Sequence, residues 1–244
     1  MRPVRRAAAI VIGSVLASCV EAPAPGTAPN RTTATAAAAA TEPTLAPGPD
    51  GWVALFDGRT LDGWTGDVAG WSVEDGAIAC GPKGGNLWAP GEWSDFELAF
   101  RFRLTLGANN GVGIRAPATG DAAYEGLEVQ VLDDGHEKYA GWLKDWQRHG
   151  SVYGIAASSG STAALRPAGE WNDETITVRG RRVRVELNGT AILDCDLDEA
   201  TRSGTLSGKD HPGTRRASGK VGFLGHGDRV DFREVRLRPL TPAR

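Results

Sequence analysis

Asp95-Phe96-Glu97-Leu98-Ala99-Phe100-Arg101-Phe102-Arg103-Leu104 decides the fold class of this chain. Phe96, Leu98, Phe100, Phe102 and Leu104 fall on every second position, with Glu97, Arg101 and Arg103 between them. Side chains of a strand alternate between its two faces. The pattern therefore predicts one long strand with an apolar face on a core and a charged face in water.

The same period recurs on either side. Glu174 to Val178 and Val183 to Leu187 flank Arg179-Gly180-Arg181 and predict a hairpin. Asn188-Gly189, a strong two-residue hairpin signal, leads into Thr190 to Leu193. Lys220 to Leu224 and Arg229 to Leu237 close the chain, the latter with a phase change near Glu234 that a β-bulge would produce. Shorter strands fit Trp52 to Phe56, Trp71 to Glu74, Ala77 to Cys80, Gly111 to Arg115 and Ser151 to Ile155. Helical periodicity is confined to a turn or two near Trp142 to Arg148 and Asp196 to Arg202. Many strands separated by turns imply an all-β sandwich or jelly roll, two antiparallel sheets with a concave face for an extended ligand.

The start of the chain is of another kind. Arg2, Arg5 and Arg6 precede an apolar run from Ala7 to Leu16, and Leu16-Ala17-Ser18-Cys19 follows. This resembles a bacterial lipoprotein signal over residues 1–18, with Cys19 as the lipidated first residue of the mature chain. Val20, in place of an aspartate, favours the outer membrane. Residues 19–48 are rich in Ala, Pro and Thr, with nothing to build a core, so a disordered tether is expected. Residues 49–244 form one domain of a size that buries a full core.

Losing Arg2, Arg5 and Arg6 takes the formal charge from −3 to −6, and the remaining basic clusters alternate with apolar or turn residues. Nucleic acid is not an expected partner. Cys80 and Cys195 stand 115 positions apart and read equally as buried thiols or as one disulfide. Neither has a neighbour at zinc-ligand spacing.

In Tyr124-Glu125-Gly126-Leu127-Glu128-Val129-Gln130-Val131-Leu132-Asp133, strict alternation sends Leu127, Val129 and Val131 to one face and Glu128 and Gln130 to the other. A bulge after Gln130 would bring Asp133 onto the face of Glu128, with two carboxyl groups along one groove.

Several stretches in order resemble one family. They are Leu55-Phe56-Asp57-Gly58-Arg59-Thr60-Leu61-Asp62-Gly63-Trp64, Trp71-Ser72-Val73-Glu74-Asp75-Gly76, Asn110-Gly111-Val112-Gly113-Ile114-Arg115, Gly126 to Asp133, Pro167 to Asn172, Leu187-Asn188-Gly189, Gly222 to Gly227 and Val230 to Arg233. Together they are similar to the 3-keto-disaccharide hydrolase domain, whose fold is of the concanavalin-A-like lectin/glucanase type. Leu224 stands where family members often carry Gln, and Glu234 where Asn is usual.

The resemblance implies cleavage of 3-keto-glycosides. A ketone at C3 acidifies the C2 hydrogen, a base removes it, the enolate expels the C1 oxygen, and water adds back. Glu128 is the expected ligand-facing carboxylate, Asp133 a second, and His226 the group that moves a proton near neutral pH. Gln130 and Arg115 are expected to donate to hydroxyls or to the C3 oxygen, with Asn110 beside them. His136 and Lys138 belong to the groove rim, where loops commonly supply specificity. Trp142 and Trp146, four apart, would share one face of a short helix as a sugar-stacking platform or as a plug. Trp171 reads as core, and His149 and His211 as loop residues. Asp133, Asp134 and Glu137 lack EF-hand spacing, so no metal is expected, and no cofactor. No Gly-x-Gly-x-x-Gly follows a strand, so a separate sugar 3-oxidoreductase would have to make the ketone.

Two other functions fit the fold. A laminarinase-type glycosidase carries Glu-x-Asp-x-x-Glu, but here Gln130 replaces the central acid and the shorter Asp133 the last one. Retaining enzymes need their carboxyls ~5–5.5 Å apart, which the shortening opposes. A non-catalytic carbohydrate-binding module would use the same polar groove only to recognise sugar.

Overall fold

A computed structural model describes residues 47–241. The expected leader, Cys19 and the tether up to residue 46 lie outside the described residues. The strands in chain order are β1 (Val53–Ala54), β2 (Thr65–Gly66), β3 (Trp71–Glu74), β4 (Ala77–Cys80), β5 (Asn86–Trp88), β6 (Phe96–Leu104) and β7 (Asn109–Ala116). β8 (Leu127–Leu132), β9 (Trp171–Arg179), β10 (Arg182–Leu187), β11 (Thr190–Asp196), β12 (Lys220–Gly225) and β13 (Val230–Pro239) follow. The larger sheet runs β11-β10-β9-β6-β13-β4-β3, with β1 also paired to β13; the smaller runs β2-β5-β12-β7-β8. Neighbours in both sheets are antiparallel.

The long alternating stretch is β6, and its five apolar residues are all buried. Opposite it, Phe223 of β12 stacks on Phe232 of β13 at 3.8 Å between ring centres. Phe100 and Trp71 pack around that pair. These rings join the two sheets, each burying well over a hundred square ångströms of apolar surface, on the order of 3 kcal/mol apiece. Asn188 and Gly189 turn with φ of 49° and 81°, as a type I′ hairpin requires. The β13 register shifts between Arg233 and Arg236, with Glu234 at φ 54°, which is the expected bulge.

Two readings change and one open alternative closes. Trp171 is not core: Ile176 and Val178 fix the phase of β9, so the odd positions face out and Trp171 lies under the guanidinium groups of Arg103 and Arg233 at 4.8 and 4.0 Å. Ser151 to Ile155 is a turn-rich segment in which only Val152 makes bridges. Ile155 and Ala156 both donate to the Val152 carbonyl and curl the chain there. Cys80 and Cys195 are free thiols, each pushed up to about 11 by burial. They sit on β4 and β11 with four strands between them, about 24 Å at normal strand spacing, far beyond disulfide reach.

Candidate active site

The outer face of the small sheet carries the site. β7 and β8 pair without a break from Asn109↔Leu132 through Gly111↔Gln130 to Gly113↔Glu128. Glu128, Gln130 and Leu132 therefore share a face with Asn109, Gly111 and Gly113. The two glycines matter for what they omit. A Cβ on Gly111 would collide with Oε1 of Glu128 and lie 2.8 Å from its Cγ and Cδ, while one on Gly113 would lie 2.7 Å from Trp88. Glu128 thus lies flat over bare backbone and is only 3% exposed.

His226 follows the end of β12, and its Nε2 is 3.1 Å from Oε1 of Glu128. This hydrogen bond raises the imidazole pKa above its ordinary value, outweighing the opposite pull of burial. The His226 side chain is 41% exposed, so its proton has a route to a ligand or to water.

Above the pair opens a cleft of about 320 Å³. One end is formed by helix α1 (Ala122–Glu125), whose Asp121 cap accepts from the Ala123 amide and whose Tyr124 faces the cavity. Tyr124 is held against buried His211 at 4.5 Å between rings, with Lys209 Nζ 5.1 Å from its ring centre. Burial lowers the His211 pKa, so it packs as a neutral ring whose Nε2 bonds Ser207. The other walls come from Tyr139, Trp142, Leu143, Gln147 and Tyr153.

Of the residues expected here, the structure brings together Glu128, Gln130, His226 and Trp142. Gln130 donates from Nε2 to Asn109 Oδ1 at 2.9 Å, which leaves its buried Oε1 without a partner. Trp142 is 55% exposed, fixed by its Nε1 donating to the Lys138 carbonyl at 2.6 Å. It lies outside any helix. Trp146, in the short 3-10 turn Asp145–Gln147, packs edge-on against Tyr153 instead of sharing a platform.

The others are placed elsewhere. No bulge follows Gln130, so Leu132 takes the cleft-facing position, and Asp133 lies past the strand end accepting from the Gly107 amide at 2.7 Å. Asn110 has the wrong parity. It is fully buried on the opposite face, and Asn109 lines the cleft in its stead. Arg115 is 2% exposed, 3.0 Å from Asp95, and donates to the carbonyls of Ser94 and Gly180. It rivets the end of β7 to the β9–β10 turn and reaches no ligand. His136 caps a 3-10 turn by accepting from the Lys138 amide, outside the cleft lining. Lys138 too is outside the cleft lining, 3.4 Å from Asp228, which also accepts from the Asn109 amide.

His149 is no loop residue. It is fully buried, with Nε2 2.8 Å from Glu174 and Nδ1 accepting from the Leu132 amide, so it ties β8 to the large sheet. Asp134 accepts from Ser161, Thr162 and the His149 amide. Among the described residues no cluster of His, Cys, Asp and Glu could hold a metal ion.

Sequence reading missed Asn109, Asp121, Gln147 and all of Tyr124, Tyr139 and Tyr153. One signal was available for the last three. The chain has only three tyrosines, and every one lines this cleft.

A two-sheet sandwich with a carboxylate–imidazole pair under an aromatic-walled groove fits a carbohydrate-cleaving enzyme. The chain belongs to the 3-keto-alpha-glucoside-1,2-lyase-like domain family, whose sequence profile matches residues 51–238. A 3-keto-disaccharide hydrolase of Bacteroides thetaiotaomicron is 27% identical over 231 residues, spanning 78% of this chain and 79% of that protein. Two solved Parabacteroides distasonis structures, provisionally described as glycosyl hydrolases, superpose with TM-scores of 0.68 and 0.67. They are 29% and 26% identical, and the matches cover 78% and 79% of this chain and 99% and 95% of theirs.

Proposed function

We propose that this protein cleaves 3-keto-glycosides, 3-keto-disaccharides among them, by elimination across C1–C2 followed by hydration. The observation that carries this is the Glu128–His226 pair, which offers a proton acceptor and a proton donor side by side. Glu128 takes the C2 proton, and the electrons of that bond pass into the enolate of the C3 ketone. As the enolate collapses, the C1–O bond breaks and the leaving oxygen takes the proton from Nε2 of His226. Hydration runs the path backwards: His226, now neutral, takes a proton from water as oxygen adds to C1, and Glu128 returns its proton to C2. Both residues end as they began.

The position of Asp133 weighs against the laminarinase reading, because the second carboxyl of that motif is not in the groove. A binding module would need no pair of proton-transfer groups under its sugar site. The membrane anchor at Cys19, outer-membrane placement and supply of substrate by a sugar 3-oxidoreductase belong to the same proposal. They rest on the leader sequence and on the chemistry that makes a 3-ketone. Cys19→Ala should release the protein from the membrane fraction or block its processing.

The deciding assay compares a 3-keto-disaccharide with its unoxidised parent. Only the ketone should be cleaved, with solvent deuterium appearing at C2 of the product. Equal cleavage of the parent would overturn the mechanism and favour a glycosidase; binding of both sugars without cleavage would favour a module.

A further inference from the structure

The elimination above needs three groups, and Glu128 and His226 supply two. The third must donate a hydrogen bond to the C3 oxygen as it gains charge. We infer that Tyr153 is this donor, an inference that rests on the proposed chemistry of the cleft.

The position of Tyr153 is fixed by the base itself. Its backbone amide donates to the Glu128 carbonyl at 2.9 Å, so the two residues are locked side by side while both side chains face the same cavity. The phenol ring is held edge-on between Trp146 at 5.0 Å and Tyr124 at 6.3 Å, with interplanar angles of 86° and 87°. That bracket leaves the ring little freedom, as a preorganised donor requires.

The surroundings of the hydroxyl favour donation. Gln147 Oε1 accepts from the Lys144 amide at 3.1 Å, which fixes this side chain beside the phenol. The Gln147 side chain also meets the Tyr153 hydroxyl and pulls the phenol pKa down, the sense of a donor facing the phenol oxygen. An oxygen that accepts from Gln147 keeps its own proton for another acceptor. Burial raises the phenol pKa, outweighing the opposite pull of Gln147, and the nearby Glu128 charge adds to the rise, so the phenol keeps its proton at neutral pH.

In the reacting complex the C2–H electrons form a C2=C3 bond and the C3=O pair moves to oxygen, which accepts the hydrogen bond from Tyr153. No proton crosses that bond. When the oxygen pair returns, C1=C2 forms and the C1 oxygen departs with the His226 proton. Tyr153 is then unchanged and ready for the hydration step. Tyr124 lacks the link to Glu128, its place being set by packing on His211 and Lys209.

Tyr153→Phe tests the inference, with Tyr124→Phe as comparison and a 3-keto-disaccharide as substrate. Loss of one such donor should lower kcat by about 10²–10³-fold with little change in KM. Exchange of the C2 hydrogen with deuterated solvent should slow in parallel, and Tyr124→Phe should do less. Gln147→Leu, which removes the orienting contact and keeps the phenol, should fall between wild type and Tyr153→Phe. The inference is overturned if wild type cleaves the substrate and a folded Tyr153→Phe protein keeps its kcat and exchange rate. It fails equally if Tyr124→Phe is the more damaging change. A wild-type protein that neither cleaves nor exchanges would instead sink the elimination chemistry, a result separable from the first two.

Discussion

The carboxyl group of Glu128 fills the space that a side chain on Gly111 would need, one strand away. The position of Glu128 therefore depends on a residue that has no functional group of its own.

Gly111→Ala should push Glu128 off its seat. Overpacking of this kind costs about 1–3 kcal/mol of stability. A displacement near 1 Å should lower kcat/KM by roughly 10²-fold. Urea unfolding and steady-state kinetics on the same preparation measure both. Glu128→Gln, which keeps the shape and removes the charge, should lose turnover while moving the melting temperature little. Full activity in the Glu128→Gln protein would remove this residue from the mechanism.

A pH series tests the pair. Its hydrogen bond to Glu128 raises the folded-state pKa of His226 above the unfolded value. Its contribution to stability is therefore complete below the unfolded imidazole pKa and is lost as pH rises through the folded one. The melting-temperature gap between wild type and His226→Ala should be widest in mild acid and close on the alkaline side. Elimination should lose rate over the same alkaline window, because the leaving oxygen then finds a neutral imidazole. A gap that widens with rising pH would contradict the assignment.

Arg115 separates a structural role from a binding one. Arg115→Met leaves the 9%-exposed Asp95 without its cation, and breaking a buried pair costs about 3–5 kcal/mol. For a domain of this size the melting temperature should drop on the order of 10 °C. KM of the remaining folded protein should not move. The reverse pattern, KM raised and melting unchanged, would return Arg115 to the ligand.

Trp142, exposed at the cleft, is expected to stack on a second sugar ring. Trp142→Ala should raise KM for a 3-keto-disaccharide by roughly 3–10-fold, the worth of one stacking contact. The methyl 3-keto-glucoside, which has no second ring, should show no change. Equal losses on both substrates would mean that the ring only braces the loop.

What was legible in the sequence follows from where the physical signal resides. The sandwich was legible because period-two alternation over nine residues of β6, and the Asn188-Gly189 turn, are local and strong. Glu128, Gln130 and His226 came from alternation and from the family resemblance. Asp133 and Asn110 were misplaced for one reason: a single residue of phase reverses the face of a strand. No residue type in Gln130-Val131-Leu132-Asp133 marks whether a bulge is present. Arg115 has φ 47° inside a strand, where simple alternation no longer holds. Tyr139 and Tyr153 sit on loops brought over the sheet by contacts with residues distant in the chain, such as Tyr139 to the Gly107 carbonyl. No local pattern encodes those.

The bare floor of β7 has a consequence for how this enzyme can change. With Gly111 and Gly113 beneath Glu128 and Trp88, nearly any substitution on that strand face collides with the machinery it supports. The cleft walls at Tyr124, Tyr139, Trp142 and Tyr153 hang instead from connections outside the sheets. Substrate range can therefore be re-engineered by exchanging those connections, residues 121–125 and 139–153, while the strands are left untouched. A library confined to the loops should yield altered aglycone preference, whereas one spread over β7 and β8 should yield chiefly inactive protein.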